Sequence, residues 1–334
     1  MPNARRVTLS AAMAAATLSL VSPMQAGAAL PASQIPDLVQ PSNGINLGST
    51  SFYDGFSTLQ PGVTVLGYLR ENVLNSITGS DGQDSPAFKD PSIKITTAVM
   101  QISAVAPVSL DGNALGFDVL LPVTRIQSHF GSGGRQLAAN STSFADLTFG
   151  PFIQFKPLIA DGHPVASFRV AFDLIAPTGG FDRTKDLNQG SGYWSLNPYV
   201  AWTVLPAEGW EVSGRTQYLY NFKTDNISNA PTIPSFTFND GQAGQVLYSS
   251  FTVSREMEKG FSAGLNGFVV EQLNNDRING ISLPDTRHRA LYLGPGLHFD
   301  RLPDWGLNLN VYMPISTHNY ATGPQFNVQF IRPL

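Results

Sequence analysis

The chain contains no cysteine, which excludes disulfides, thiol chemistry and cysteine-ligated metal. Charged residues are also scarce, at 13% against roughly 25% in a soluble globular protein. A water-facing surface normally carries more charge than this. Beyond the first thirty residues no apolar run approaches the ~18 residues of a transmembrane helix, so a helical membrane protein is excluded. Helix signals are nearly absent. With a net charge of −4 there is no basic footprint for nucleic acid. Low charge without apolar runs fits a wall that alternates between lipid and lumen.

At the N-terminus, Arg5 and Arg6 precede an apolar stretch from Ala11 to Val21, and small residues follow at Ala26-Gly27-Ala28. Charge, about 7–15 apolar residues and an A-x-A site form the secretory pattern. We read residues 1–28 as a signal peptide for the Sec pathway. The apolar run is too short to span a membrane and Pro23 ends it.

From residue 62 onward the dominant pattern has period 2. Leu291, Leu293, Pro295, Leu297 and Phe299 alternate with Tyr292, Gly294, Gly296 and His298. Leu307, Leu309, Val311, Met313 and Ile315 alternate with Asn308, Asn310, Tyr312, Pro314 and Ser316. Successive side chains of a strand point to opposite faces, so each such strand has one oily and one mostly polar side. Twelve segments of this kind are expected, over 62–73, 91–105, 113–127, 144–157, 164–176, 193–205, 209–223, 242–256, 260–272, 287–300, 306–316 and 324–332.

Connection lengths alternate too. Long ones cover 74–90, 128–143, 177–192, 224–241 and 273–286, with short ones between them; only 317–323 is of middling length. Outer-membrane barrels have short periplasmic turns and longer extracellular loops, whereas a soluble β-sandwich has no reason to lengthen every second loop. The expected fold is all-β: an antiparallel up-and-down transmembrane β-barrel of about 12 strands over 62–334, in the outer membrane of a Gram-negative bacterium. Both termini then lie in the periplasm. Aromatic placement agrees, with Trp210 opening one apolar strand face and Tyr218, Tyr220 and Phe222 closing it.

Parity places Asp118, Arg169, Asp173, Glu211 and Arg215 on the inner face, with Tyr68, Phe152, Tyr199, Phe268, Tyr292 and Tyr312. Arg169 and Asp173 stand about 13 Å apart along one strand, too far to pair, so each requires cross-strand partners. The charges read either as a salt-bridge network that stiffens the barrel or as a polar ring that selects solutes. Aromatic lumen residues suit an apolar solute, although core filling explains many of them equally well.

Residues 29–61 are punctuated by Pro31, Pro36, Pro41 and Pro61 and form no strand. They are either a periplasmic lead-in or a plug. Phe52, Tyr53 and Phe56 cluster around Asp54, the only charge between Asn46 and Gly62. An apolar cluster left in water is costly, so a plug is expected to set these rings against Tyr199 and Tyr292 and to bring Asp54 to Arg169 or Arg215.

A catalytic site is not expected. No histidine is followed by Ser two positions on, H-E-x-x-H is absent, and all five histidines read as solvated. No metal or cofactor is expected.

Several short runs carry a family resemblance. They are Gly48-Ser49-Thr50-Ser51-Phe52-Tyr53-Asp54-Gly55-Phe56 with Pro61-Gly62, and Ala176-Pro177-Thr178-Gly179-Gly180-Phe181. Leu187-Asn188-Gln189-Gly190 with Trp194, Tyr220-Asn221-Phe222, and Gly264-Leu265-Asn266-Gly267 with Glu271-Gln272 come next, and Leu293-Gly294-Pro295 is last. In this order they resemble a family of outer-membrane proteins from the meta-cleavage pathway of phenol degradation. The resemblance implies a barrel that transports aromatic or other apolar nutrients. The C-terminal alternation of Phe326, Val328 and Phe330 looks like the signal read by the barrel-assembly machinery, although the chain ends in Leu334 rather than an aromatic. The expected partners are outer-membrane lipid, that machinery and a small apolar solute. The leading functional expectation is a channel or transporter for small apolar or aromatic compounds. The alternatives are an outer-membrane hydrolase acting on lipids and a structural barrel with no transport role.

Overall fold

The computed structural model describes residues 30–41, 46–301 and 303–334; the expected signal peptide lies outside them. Twelve long strands form the wall: β1 (Gly62–Leu74), β2 (Ser92–Leu110), β3 (Asn113–His129), β4 (Leu147–Gln154), β5 (His163–Ala176), β6 (Ser195–Val204), β7 (Trp210–Asn221), β8 (Val246–Glu258), β9 (Phe261–Gln272), β10 (Arg289–Arg301), β11 (Trp305–His318) and β12 (Gln325–Pro333). Each pairs antiparallel with its neighbours in sequence, and β1 pairs with β12 from Thr64↔Pro333 to Asn72↔Gln325, which closes the ring. Closure leaves no unpaired edge, the condition for a β-structure to cross a membrane. Among the described residues no helix is long and apolar enough to cross one.

The strands form where period 2 is strongest. In β10, Tyr292, Gly294, Gly296 and His298 are buried while Leu291, Leu293, Leu297 and Phe299 are not. In β11, Asn308, Asn310 and Tyr312 are buried while Leu307, Leu309 and Val311 are partly exposed. In β11 the alternation fails at Ser316. It was expected inside and is exposed, because the register slips between Leu291↔Ser316 and Tyr292↔Pro314. Pro314 has no N–H for the ladder, and the extra residue turns the parity over.

Hairpins close one end of the barrel. Asp111-Gly112 and Asp161-Gly162 both have positive φ, the conformation that two-residue Asp-Gly turns supply. Trp210 and Trp305 are exposed at this short-turn end, and Trp194 and Phe222 at the long-loop end. Aromatic belts at the two margins of an apolar wall are the pattern of a barrel set in lipid.

The chain before Gly62 does not stay at the short-turn end. Residues 46–61 run up inside the lumen, and residues 30–41 lie among the long loops. The C-terminus is at the short-turn end as expected, but residues 30–41 are not; the N-terminus itself lies outside the described residues. Strand parity sets only where β1 begins. Sixteen extended residues reach roughly 50 Å, enough to cross the barrel. The lead-in reading gives way to the plug.

Candidate functional site

The plug is pinned to the inner wall by its backbone. The Gly55 N–H donates to Thr203 Oγ1 at 2.9 Å, and its carbonyl accepts from Ser167 Oγ at 2.8 Å and Gln154 Nε2 at 2.9 Å. A Cβ at Gly55 would sit 2.4–2.5 Å from backbone atoms of Thr203, Ser167 and Trp202, so only glycine allows this approach. Next to it, Tyr53 is held at φ +52°, and its N–H donates to Glu211. Higher up, the carbonyl of Gly48 accepts from Tyr312 Oη at 3.0 Å and Asn327 Nδ2 at 2.7 Å, and that of Leu47 accepts from Gln325 Nε2 at 2.6 Å.

Asp54 meets Arg215 side-on, with Nε···Oδ2 2.9 Å and Nη2···Oδ1 2.5 Å. A bidentate pair adds direction to attraction. Thr50 Oγ1 donates to the same carboxylate at 2.8 Å. The Arg215 guanidinium lies 4.3 Å from the centroid of the Tyr199 ring. Below, Arg169 pairs with Asp118 and lies 3.6 Å from the Phe152 ring centroid. Each guanidinium therefore has both a carboxylate partner and an aromatic ring beside it.

All eleven inner-face residues expected from parity point inward. The requirement for cross-strand partners is met for Arg169 by Asp118. It is not met for Asp173, whose Oδ1 is buried without a hydrogen-bond partner. Of the two arginines offered to Asp54, the structure uses Arg215.

The plug rings go elsewhere than expected. Phe52 stacks on His298 with centroids 5.5 Å apart and planes at 18°, and Tyr53 reaches the same ring at 5.3 Å. Tyr292 instead stacks on Phe268 at 4.7 Å. The tight turn at 52–55 points the rings toward β10, away from Tyr199. Phe56 meets the Tyr53 ring edge-on at 6.4 Å.

His298, expected to be solvated, is 6% exposed beneath Phe52 and bonds to Asn308 Oδ1 at 2.6 Å. His288 bonds to the Asn319 carbonyl, and His318 to that of Ser80. Each of the three meets a carbonyl oxygen through Nδ1.

A cavity remains between plug and wall, bounded by Thr50 and Ser49 on one side and by Tyr68, Gln101, Asp173 and Gln217 on the other. Its volume is about 70 Å³. The plug narrows the lumen to a crevice.

Over the long-loop end the segment becomes a strap. Ile35, Leu38 and Val39 pack with Tyr193, Ile227, Ile278 and Leu283. Tyr193 Oη donates to the Gln40 carbonyl at 2.6 Å, and the Ser228 N–H to that of Leu38 at 3.1 Å. Asp37 meets Asp276 and His288 there, with one ligand atom of each within 4.8 Å of the others. Burial, and then the Asp37 charge, push Asp276 well above the usual carboxylate range, while burial pulls His288 down. Sequence reading missed this group, because Asp37 lies about 240 residues or more before the other two along the chain.

Comparison with known proteins places the chain. The profile of the family described as "Putative MetA-pathway of phenol degradation" matches residues 74–330. No curated protein matches the chain. Among solved structures, the COG4313 outer membrane channel from Pseudomonas putida F1 superposes with a TM-score of 0.71 at 15% identity, over 85% of this chain and 98% of that one. The translocator domain of the autotransporter NalP from Neisseria meningitidis gives 0.45 at 11% identity, over 81% and 88%. A mutant of the TodX monoaromatic hydrocarbon channel gives 0.40 at 11% identity, over 81% and 90%. The first shares the fold; scores as low as the other two say nothing further.

Proposed function

Because this chain belongs to the MetA-pathway phenol-degradation family, we propose that it is an outer-membrane channel that passes small aromatic compounds when its plug moves. The observation that carries this reading is the lumen itself. It is a crevice with ring faces at Tyr68 and Tyr199, and its narrow side is a separate chain segment rather than packed wall. Eight strands leave an interior that side chains fill, and 16 leave an open pore. Twelve strands with a removable plug lie between. The long loops face outward and the short turns face the periplasm, as in other outer-membrane barrels. Lipid covers the apolar belt, and the N-terminal secretory pattern supports Sec export to this membrane. The reading is non-enzymatic.

Uptake of labelled monoaromatics and of long-chain alkanoates by deletion and complemented cells tests it. Faster monoaromatic uptake in complemented cells is expected. Equal uptake of both classes with and without the protein would leave the structural-barrel reading.

A further inference from the structure

The strap and the loops meet at a group whose chemistry calls for a cation. Asp37 comes from the strap, while Asp276 and His288 come from either end of the connection between β9 and β10. Asp276 is 2% exposed. Its Oδ1 is occupied, accepting from the Gly244 N–H at 2.6 Å and from Gln272 Nε2 at 2.8 Å. That leaves Oδ2 to meet the cluster. The Asp37 Oδ1 receives the Val39 N–H at 3.3 Å, and the Asp37 carboxyl meets that of Asp276 directly. Two carboxylates thus approach each other at a half-buried contact. No lysine or arginine among the described residues forms an ion pair with either. Like charges so placed repel, and burial strengthens the repulsion.

The imidazole adds a different kind of observation. His288 Nδ1 is committed to the Asn319 carbonyl. That bond makes Nδ1 the donor and leaves the lone pair on Nε2. A ligating histidine is typically oriented this way, with its other ring nitrogen held by a backbone carbonyl outside the coordination shell. Asn319 belongs to the next loop, so the orientation is set from outside the cluster.

We propose that Asp37, Asp276 and His288 form a site for one divalent transition-metal ion, which fastens the N-terminal strap to the loops. One nitrogen and two oxygen ligands suit an ion such as Zn²⁺. A purely oxygen-seeking ion such as Ca²⁺ would leave the imidazole unused. Ligand atoms around Zn²⁺ lie about 2.0–2.2 Å from the metal. In a tetrahedral shell that sets the ligand atoms roughly 3.4 Å from one another, so the present spacing of up to 4.8 Å closes by up to about 1.4 Å as the ion enters, a shift the strap can supply. The fourth position goes to water. The ion cancels the charge of the two carboxylates and joins residues of two otherwise separate segments. Removing it loosens the strap and leaves the barrel intact.

The test uses the full-length folded protein, stripped with EDTA and dialysed. Calorimetric titration with Zn²⁺ should show one equivalent bound. Asp37→Asn and His288→Gln should each weaken it at least about tenfold, the low end of what even the loss of an outer-shell partner costs. Ca²⁺ should not compete. Backbone hydrogen exchange at residues 35–40 should quicken in EDTA and slow again with Zn²⁺. Asp37 is an exposed strap residue, so its variant leaves the wall to fold as before. Unchanged Zn²⁺ binding in the Asp37→Asn/His288→Gln double variant would overturn the site. So would hydrogen exchange indifferent to EDTA, which would mean that a shared proton or apolar packing alone holds the strap.

Discussion

One stretch of chain is held at its two ends by opposite means. The tip, Gly48 to Gly55, is fixed by hydrogen bonds and a buried ion pair, with ring stacking on His298. The strap, Ile35 to Val39, is fixed mostly by apolar contact with Tyr193, Ile227, Ile278 and Leu283. Polar anchors depend on angle and position, and they fail together when one partner is lost. Apolar contact tolerates small shifts and fails gradually. The tip is accordingly suited to occupying one position or leaving it, and the strap to remaining attached while the tip moves.

The strongest way to break this contrast is Arg215→Ala. It strands the Asp54 carboxylate inside the barrel. The docked tip should lose about 3 kcal/mol, the low end for an uncompensated buried charge because the adjoining crevice admits water. Planar-bilayer recordings should show more frequent or longer openings. Conductance equal to the full-length protein would mean that the ion pair does not hold the tip.

Leu38→Ser should weaken the strap by about 1.5–3 kcal/mol, the value of one buried leucine side chain. Hydrogen exchange at 35–40 should quicken while conductance stays unchanged. A change in both would show that strap and tip move as one body.

Gly55→Ala is the finest probe. One methyl group pressed against backbone on three sides should cost the docked tip about 1–3 kcal/mol. A cysteine placed at Ser49 should then label faster with an impermeant thiol reagent. Unaltered labelling would show that the wall yields at Thr203 and Ser167.

The wall was legible in the sequence because one rule governs it. Period 2 gave the twelve strands, the inward set from Tyr68 to Tyr312, and the outward leucines of β10 and β11. It failed where Pro314 displaces the register, since a missing donor is visible in sequence but its consequence for the partner strand is not. The plug was legible as rings around a single charge, and so was its bond to an arginine. Which rings it would meet was not. That depends on the direction of a tight turn at 52–55, set by Gly55 against one patch of wall. The strap was hidden altogether. It has no periodicity, and its partners Tyr193, Asp276 and His288 lie far along the chain. The family runs at 48–56 mark the plug; none falls in the strap.

The path of the N-terminal segment also orders events during assembly. Its far end lies among the loops while its near end joins β1 at the turns, and β1 is one side of the seam that closes the ring. Once β1 and β12 have zipped together, residues 30–41 could reach their place only by being threaded through a finished cylinder already crowded with side chains. The segment must therefore be laid along the curved, still open sheet first, and the last seam closed around it. The chain that later narrows the pore serves during folding as the mandrel on which the cylinder is rolled.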